Sequence, residues 1–94
     1  MKVVAQRLEI RGRVQGVGYR DAAVQTAFVC AVQGWVRNRR EGHVEAFVQG
    51  EPAAVERFVA WCRRGPPLAR VAEVAQSEAP VDGALAAFET RATL

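Results

Sequence analysis

The sequence predicts an α+β domain in which two amphipathic helices cover one face of a sheet. The chain has 94 residues, half of them apolar, which is enough for one two-layer core and too little for two. Several segments alternate apolar and charged residues as half-buried strands do, and two others carry apolar residues at helical spacing. Because strand and helix patterns are interleaved along the chain, we expect one domain spanning residues 1–94.

The first strand pattern runs from Arg7 to Val14 and has one apolar and one charged face. It leads into the segment Val14–Arg20 (VQGVGYR) and then into a helical pattern from Asp21 to Ala31. The predicted buried stripe of this helix consists of Val24, Ala27, Phe28 and Ala31, widened by Ala23 and Cys30.

A hairpin follows, with strands at Gln33–Asn38 and His43–Gln49 joined by a turn at Arg39–Gly42. The alternation of the second strand places Val44, Ala46 and Val48 on one face. Trp35 and Phe47 then project from the opposite face, where we expect them to pack on the open side of the sheet.

The second helix begins at Glu51-Pro52 and is stopped by Gly65-Pro66-Pro67. Its predicted buried stripe consists of Val55, Phe58, Val59 and Cys62, with Trp61 in the core or at its boundary. Two further strands are predicted at Ala69–Ala75 and Leu85–Arg91. The resulting order, βαββαβ with an extra strand, predicts a ferredoxin-like sandwich on a mostly antiparallel sheet of four to five strands.

Charge and cysteine content restrict the function only loosely. The net charge is +3 and the isoelectric point about 9.5, which suits anionic ligands without selecting nucleic acid. Cys30 and Cys62 have neither metal-ligand nor redox spacing, and we interpret both as small buried apolar residues. The apolar run before Arg7 is too short for a signal peptide, so we expect a cytoplasmic protein that does not associate with membranes.

The segment Val14–Arg20 is the best candidate for a binding site. Gly16 and Gly18 allow positive φ angles, so that successive N–H groups can face one hollow at a helix N-terminus and bind an anion. Arg20 adds a planar fork of donors suited to phosphate or carboxylate. The same pattern also fits a simple tight connection, and it matches neither the Walker loop nor the dinucleotide fingerprint, whose third glycine would fall at Asp21.

Several catalytic devices are excluded by residue content. His43 is the only histidine, so a catalytic triad or two-histidine metal site cannot form, and we interpret it as a solvated turn residue. Neither cysteine is followed by arginine at phosphatase spacing. A phosphate-binding loop without a nucleophile, a metal or a general acid would suit acyl phosphates. These compounds expel carboxylates whose conjugate acids have pKa values of roughly 4 to 5, so the leaving group needs little protonation. Asn38, at a strand end, could direct the attacking water or simply cap its turn.

The chain resembles the acylphosphatase family. The resemblance is carried, in order and at the family's spacing, by Gly12–Arg20 (GRVQGVGYR), Gly34–Asn38 (GWVRN), Gly42–Glu45 (GHVE), Gln49–Gly50 and Gly65–Val71 (GPPLARV). It implies a ferredoxin-like fold and hydrolysis of small acyl phosphates to carboxylate and inorganic phosphate, without metal or cofactor. We expect a monomer whose partners are small acyl phosphates and inorganic phosphate, and not nucleic acid.

The resemblance assigns roles to individual residues. Arg20 and Asn38 would be catalytic, with Asn38 holding the attacking water. The phosphate would be held by Arg20 and by the N–H groups of Gln15, Gly16, Val17, Gly18 and Tyr19. Three positions depart from the family pattern: Tyr19 stands where phenylalanine is common, Ala31 where glycine is usual, and Thr90 where a branched apolar residue is usual.

Two other functions compete with this interpretation. An RNA-recognition domain shares the order of elements, but the strand His43–Gln49 offers one aromatic residue, Phe47, where that class needs several. The second is a non-catalytic module that binds phosphate or carbamoyl phosphate within a larger carbamoyl-transfer protein. Turnover of an acyl phosphate distinguishes the enzyme from both alternatives.

Overall fold

A five-stranded sheet carries two helices on one face in the computed structural model, which describes residues 2–94. The elements are β1 (Val4–Arg13), α1 (Tyr19–Cys30), β2 (Gln33–Asn38), β3 (Val44–Gly50), α2 (Pro52–Arg64), β4 (Arg70–Glu78) and β5 (Phe88–Thr90). The strand order is β4-β1-β3-β2-β5, with every pair antiparallel except β2–β5. The predicted ferredoxin-like α+β fold is confirmed.

The sheet brings the ends of two strands together at one edge. Both β1 and β2 pair antiparallel with β3, so they run in the same direction on either side of it. Val44 is opposite Ile10 on one side and opposite Asn38 on the other. The loop that follows β1 and the residue that ends β2 therefore lie at the same edge of the sheet.

The core lies between the helices and one sheet face, largely where the alternation predicted it. The fully buried strand residues on that face include Leu8, Ile10, Val36, Val44, Ala46 and Val48. The predicted stripe of α2, consisting of Val55, Phe58, Val59 and Cys62, is buried against them. Each large apolar side chain buried in this way contributes about 1.5–3 kcal/mol. Burial also raises the pKa of the Cys62 thiol to about 12, so it stays protonated near neutral pH.

Helix α1 differs from the prediction in its start and in its buried face. It begins at Tyr19 instead of Asp21, because Gly18 takes a left-handed conformation and ends the loop there. Its buried residues are Tyr19, Ala23 and Ala27, one turn apart, whereas Phe28 is 87% exposed. Ala31 is exposed as well, so the prediction that Phe28 and Ala31 belong to the buried stripe was wrong. Small alanine side chains on the inner face let the helix lie close to the sheet.

Strand boundaries also shift where pairing extends or shortens a pattern. β1 covers Val4–Arg13 instead of Arg7–Val14, since Val4 already pairs with Gly50. Three other strands also differ from their predicted bounds. The structure has Val44–Gly50 where His43–Gln49 was predicted, Arg70–Glu78 in place of Ala69–Ala75, and Phe88–Thr90 in place of Leu85–Arg91. The last strand is short because Leu85 donates to the carbonyl of Asp82 at 3.3 Å in a turn.

The open face of the sheet carries an aromatic pair, as predicted. Trp35 and Phe47 stack with ring centroids 6.2 Å apart, and Phe47 is 8% exposed. The guanidinium carbons of Arg37 and Arg91 lie 4.7 and 5.1 Å from the centroid of the Trp35 ring. The Trp35 ring is thus engaged by side chains of the protein itself. Within residues 2–94 no helix is long and apolar enough to cross a membrane.

Ala31 is a strained position whose replacement should stabilise the fold. It ends α1 with φ 60° and ψ 46°, a left-handed conformation that costs an L-residue about 1–2 kcal/mol. We expect Ala31→Gly to raise the free energy of unfolding by about 1 kcal/mol, after allowing for the greater freedom of glycine in the unfolded chain. Urea unfolding measures this change.

The matched control is Ala60→Gly, in the interior of α2 on its exposed side. Because this alanine is helical, the same substitution should lower stability there by about 1 kcal/mol. Equal losses at both positions would contradict the explanation from backbone strain.

Candidate active site

The loop between β1 and α1 forms one wall of a small cavity. Gly16 and Gly18 have φ angles of 75° and 80°, and a Cβ atom added to either would meet no atom within 4 Å. The backbone conformation, not crowding, therefore requires glycine at both positions. Within residues 2–94, the backbone N–H groups of residues 15–18 donate to no backbone or side-chain acceptor. They are available to an anion, beside the N–H groups of the first turn of α1.

The cavity has a volume of about 220 Å³. This is below the 300–1,000 Å³ typical of sites for drug-sized ligands, and it suits a group the size of phosphate. Its lining residues are Val14, Gly16, Gly18, Tyr19, Arg20, Asp21 and Asn38. The structure thus brings both predicted catalytic residues, Arg20 and Asn38, to one cavity with three of the predicted loop residues.

Arg20 supplies the positive charge of the cavity. It lies in the first turn of α1, is half-buried, and makes no ion pair with any of the described residues 2–94. Asp21 lines the same cavity, and its negative charge opposes an anion there. Arg20, the loop N–H groups and the positive end of the helix all favour an anion in this cavity, against the charge of Asp21.

Asn38 faces the cavity from the end of β2. Its Oδ1 atom is buried and has no hydrogen-bond partner among the described residues. Leaving such an oxygen unpaired costs about 1–3 kcal/mol, so buried acceptors of this kind are rare in proteins. The backbone carbonyl of Asn38 accepts from Leu94 at 3.3 Å, and the pairing of β2 with β3 fixes the residue further. The backbone of Asn38 is therefore held in place beside the cavity, and its side-chain oxygen has unused capacity to accept a hydrogen bond among residues 2–94.

Gln15 and Val17 support the loop through their side chains. The Gln15 amide nitrogen donates to the backbone carbonyls of Arg39 and His43 at 2.8 and 3.0 Å. This ties the loop to the turn that follows Asn38. Val17 packs against the hydrophobic core. Only their backbone N–H groups remain candidates for anion binding.

Tyr19 anchors the loop to the second helix. Its ring is buried, and the ring centroid lies 5.3 Å from that of Trp61. Its hydroxyl donates to the Cys62 carbonyl at 2.8 Å. Burial is the main cause that raises the pKa of this phenol, so the hydroxyl stays protonated. The tyrosine at this position therefore adds a buried hydrogen bond that phenylalanine could not make. Because its hydroxyl is bonded to α2, only the backbone N–H of Tyr19 is a candidate for anion binding.

A carboxylate on the open face of the sheet holds the arginines on either side of Asn38, which sequence reasoning missed. Glu45 is 1% exposed and accepts hydrogen bonds from Arg37 at 2.7 Å, from Arg39 at 3.3 Å and from Arg7. Burial alone would raise the pKa of this carboxyl, but the hydrogen bonds from Arg37 and Arg7 outweigh it and hold the pKa below its ordinary value. The alternation of β3 could have placed Glu45 on this face, but not its partners, which come from other strands.

Glu45→Gln should destabilise the protein near neutral pH. We expect a loss of about 2 kcal/mol, below the range for a fully buried pair because the arginines reach solvent. Since the folded-state pKa is lowered, the wild-type advantage exists above the ordinary glutamate pKa of about 4.5 and disappears as the pH falls through the lowered value. Urea unfolding at pH 7 and at more acidic pH measures both effects.

Glu9→Gln is the control, because Glu9 pairs with Arg11 at 2.7 Å on the same face but is 31% exposed. We expect it to change stability by less than about 1 kcal/mol. A Glu45→Gln loss that stayed constant down to acidic pH would contradict the charge-based explanation.

His43 differs from its prediction. It is half-buried, and its Nδ1 atom is buried without a hydrogen-bond partner among residues 2–94, so the residue is not simply a solvated part of the turn. Cys30 and Cys62 are free thiols, with Cys30 only partly buried. No cluster of three or more histidine, cysteine, aspartate or glutamate side chains suited to a metal ion occurs in the described part of the chain.

A larger cavity, of about 660 Å³, lies elsewhere, between α2 and the ends of β1 and β4. Its lining mixes apolar residues such as Val55 and Val59 with charges of both signs, among them Arg63 and Glu78. No glycine lines it within residues 2–94, and the helix start that does line it is Pro52, which has no backbone N–H to donate. Size alone favours this cavity, but the chemistry favours the smaller one.

The fold and the smaller cavity define an α/β-sandwich protein in which a glycine loop, an arginine and a carboxamide residue line one cavity. The acylphosphatase family model matches residues 6–90. The acylphosphatase of Synechococcus sp. is 49% identical over 85 residues, which are 90% of this chain and 89% of the relative. The chain belongs to the acylphosphatase family.

Solved structures agree with this assignment. An acylphosphatase from Coxiella burnetii superimposes with a TM-score of 0.90 at 30% identity, covering 95% of this chain and 93% of that one. A structure of full-length HypF in its phosphate- and nucleotide-bound form gives a TM-score of 0.88 at 26% identity. There the similarity covers 98% of this chain but 12% of HypF.

Proposed function

We propose that residues 1–94 act as one domain that hydrolyses the carboxyl-phosphate bond of small acyl phosphates. The observation that carries this proposal is the meeting of three groups in one cavity of about 220 Å³. These are Arg20, the loop N–H groups and Asn38; within residues 2–94 Arg20 makes no ion pair, the N–H groups of residues 15–18 have no acceptor, and the buried Oδ1 of Asn38 has no partner. The family to which the chain belongs catalyses this reaction.

The phosphoryl group is held by backbone and side chain together. Arg20 binds two of its oxygens through the guanidinium fork, and the N–H groups from Gln15 to Arg20 donate to the oxygens that face the loop. These donors are fixed before the substrate arrives, because Gln15, Val17 and Tyr19 anchor the loop. Preorganised donors stabilise the charge of the transition state without reorganising during the reaction.

Asn38 directs the attacking water. Its Oδ1 accepts one O–H of the water, whose oxygen attacks phosphorus in line with the acyl oxygen. A bond forms between the water oxygen and phosphorus, and the bond from phosphorus to the acyl oxygen breaks with its electron pair on the carboxylate. The proton released by the water passes to a phosphate oxygen. The carboxylate needs no proton as it leaves, because its conjugate acid has a pKa of about 4 to 5.

Acetyl phosphate and benzoyl phosphate test the function, with release of inorganic phosphate as the readout. We expect turnover of both, competitive inhibition by inorganic phosphate and no change of rate with EDTA. p-Nitrophenyl phosphate, a phosphate monoester with a poorer leaving group, should react far more slowly. Absence of acyl phosphate turnover in a folded sample, or its loss with EDTA, would overturn the proposal.

A second candidate is a non-catalytic module that binds phosphate or carbamoyl phosphate, which the similarity to part of HypF favours. Such a module would bind inorganic phosphate at the same loop without turning over acetyl phosphate. The proposal also includes a monomeric state and a cytoplasmic location. The free thiols of Cys30 and Cys62 are compatible with a reducing compartment.

A further inference from the structure

A second cavity adjoins the loop between β1 and α1, on the side of that loop away from Asn38. It has a volume of about 250 Å³ and shares Gly16 with the first cavity. Its lining residues are Arg13, Gly16, Val17, Pro67, Leu68, Ala69 and Arg70. Two arginines and no acidic residue of the described chain line it, so it is positively charged.

The stability of the fold does not explain why Arg13 and Arg70 lie opposite each other. Arg13 and Arg70 lie directly opposite each other in the antiparallel pairing of β1 with β4, where like charges are destabilising. Neither forms an ion pair within residues 2–94, whereas Arg7 and Arg11, on the same strand as Arg13, both pair with Glu9. A local arrangement that costs stability without compensation is typical of a functional site.

The backbone at this point is shaped to bring the two arginines together. The register of β1 and β4 shifts between Arg11 and Gly12, as in a β-bulge. Gly12 has φ 125°, and a Cβ atom at this position would collide with the backbone oxygen of Arg70. Only glycine therefore permits the close approach of β4. Bulges of this kind redirect side chains and occur next to active sites.

The second cavity also lies on the side towards which the leaving group must point. The strand order places β4 beside β1 and places β2 two strands away on the other side of β1. The loop after β1 therefore lies between Asn38, which ends β2, and the segment before β4. An in-line displacement places the attacking water and the leaving oxygen on opposite sides of phosphorus. With water held by Asn38, the acyl group extends towards β4.

We propose that this second cavity binds the acyl group, and that it favours acyl phosphates whose acyl chain ends in a second anionic group, a carboxylate or a phosphate. Leu68, which is 73% exposed, and Pro67 provide apolar contacts for a short chain. Arg13 and Arg70 bind the anion at its far end. This assignment rests on the proposed function and adds a substrate preference to it.

The test compares two substrates that differ by one charge. Succinyl phosphate carries a terminal carboxylate, and butanoyl phosphate has the same four-carbon chain without it. We expect Arg13→Gln and Arg70→Gln each to lower kcat/KM for succinyl phosphate about three- to fivefold, and the double variant about tenfold, the range for partly exposed ion pairs. Their kcat/KM for butanoyl phosphate should stay within about twofold of wild type, after correction for the general effect of removing one positive charge from the protein.

Arg57→Gln provides that correction, since it removes the same charge from an exposed position on α2. The double variant should also melt no lower than wild type, because it relieves repulsion across the strands. Equal losses for both substrates, or none for succinyl phosphate, would overturn the subsite while leaving the proposed hydrolysis intact. If wild type hydrolysed neither substrate, both proposals would fail.

Discussion

Replacing Arg20 with alanine is expected to lower kcat/KM for acetyl phosphate by about a thousandfold or more. An arginine that stabilises a transferring phosphoryl group contributes about 10³–10⁵-fold to the rate. Arg20 has no ion-pair partner among residues 2–94, so its removal should disturb the site and not the fold. Competitive inhibition by inorganic phosphate should be lost with turnover. Initial rates and phosphate inhibition constants measure both effects.

Two further variants define what Arg20 contributes. Arg57→Ala removes an arginine from an exposed position on α2 and should leave kcat/KM within about twofold of wild type. Arg20→Lys keeps the charge but not the planar fork, so it should recover little of the lost rate. Full activity in Arg20→Lys would show that a point charge suffices, and full activity in Arg20→Ala would exclude Arg20 from the phosphoryl site.

Asn38→Ala should separate turnover from phosphate binding. Without its Oδ1 the attacking water loses its orientation, and we expect kcat to fall about a hundredfold, the scale of a misplaced reacting group. The inhibition constant for inorganic phosphate should remain within about twofold of wild type, because the loop and Arg20 are unchanged. Steady-state kinetics with phosphate as inhibitor measures both quantities.

The stability of the Asn38→Ala variant should change little, since the backbone carbonyl of Asn38 still accepts from Leu94 and the pairing with β3 is kept. Removal of a buried, unpaired acceptor can even stabilise a fold. If kcat stayed at the wild-type value while phosphate binding weakened, Asn38 would be a phosphate ligand and the assigned role in water positioning would be wrong.

Local patterns predicted much of this molecule. The bounds of β2 matched, as did the buried faces of β3 and α2, because each depends on a short-range periodicity that the fold preserves. Arg20 and Asn38 could be singled out because a glycine loop and a strand end are visible in the sequence. Their roles came from the family resemblance, and their meeting in one cavity agrees with it.

What the sequence did not predict depends on contacts between distant residues. The exposure of Phe28 follows from the phase of α1, which is set by Gly18 and by the burial of Tyr19. The hydrogen bonds of Glu45 and the opposition of Arg13 to Arg70 require the register of strands that are far apart in the chain. A single sequence does not determine that register.

The most direct measurement is a titration of ¹⁵N-labelled protein with inorganic phosphate, followed by amide chemical shifts. We expect the largest shifts at residues 15–20, with one dissociation constant equal to the inhibition constant from kinetics, and none of them in Arg20→Ala. Saturable phosphate binding that left these amides unchanged, or shifted those of another surface, would contradict the assignment of this loop as the phosphoryl site.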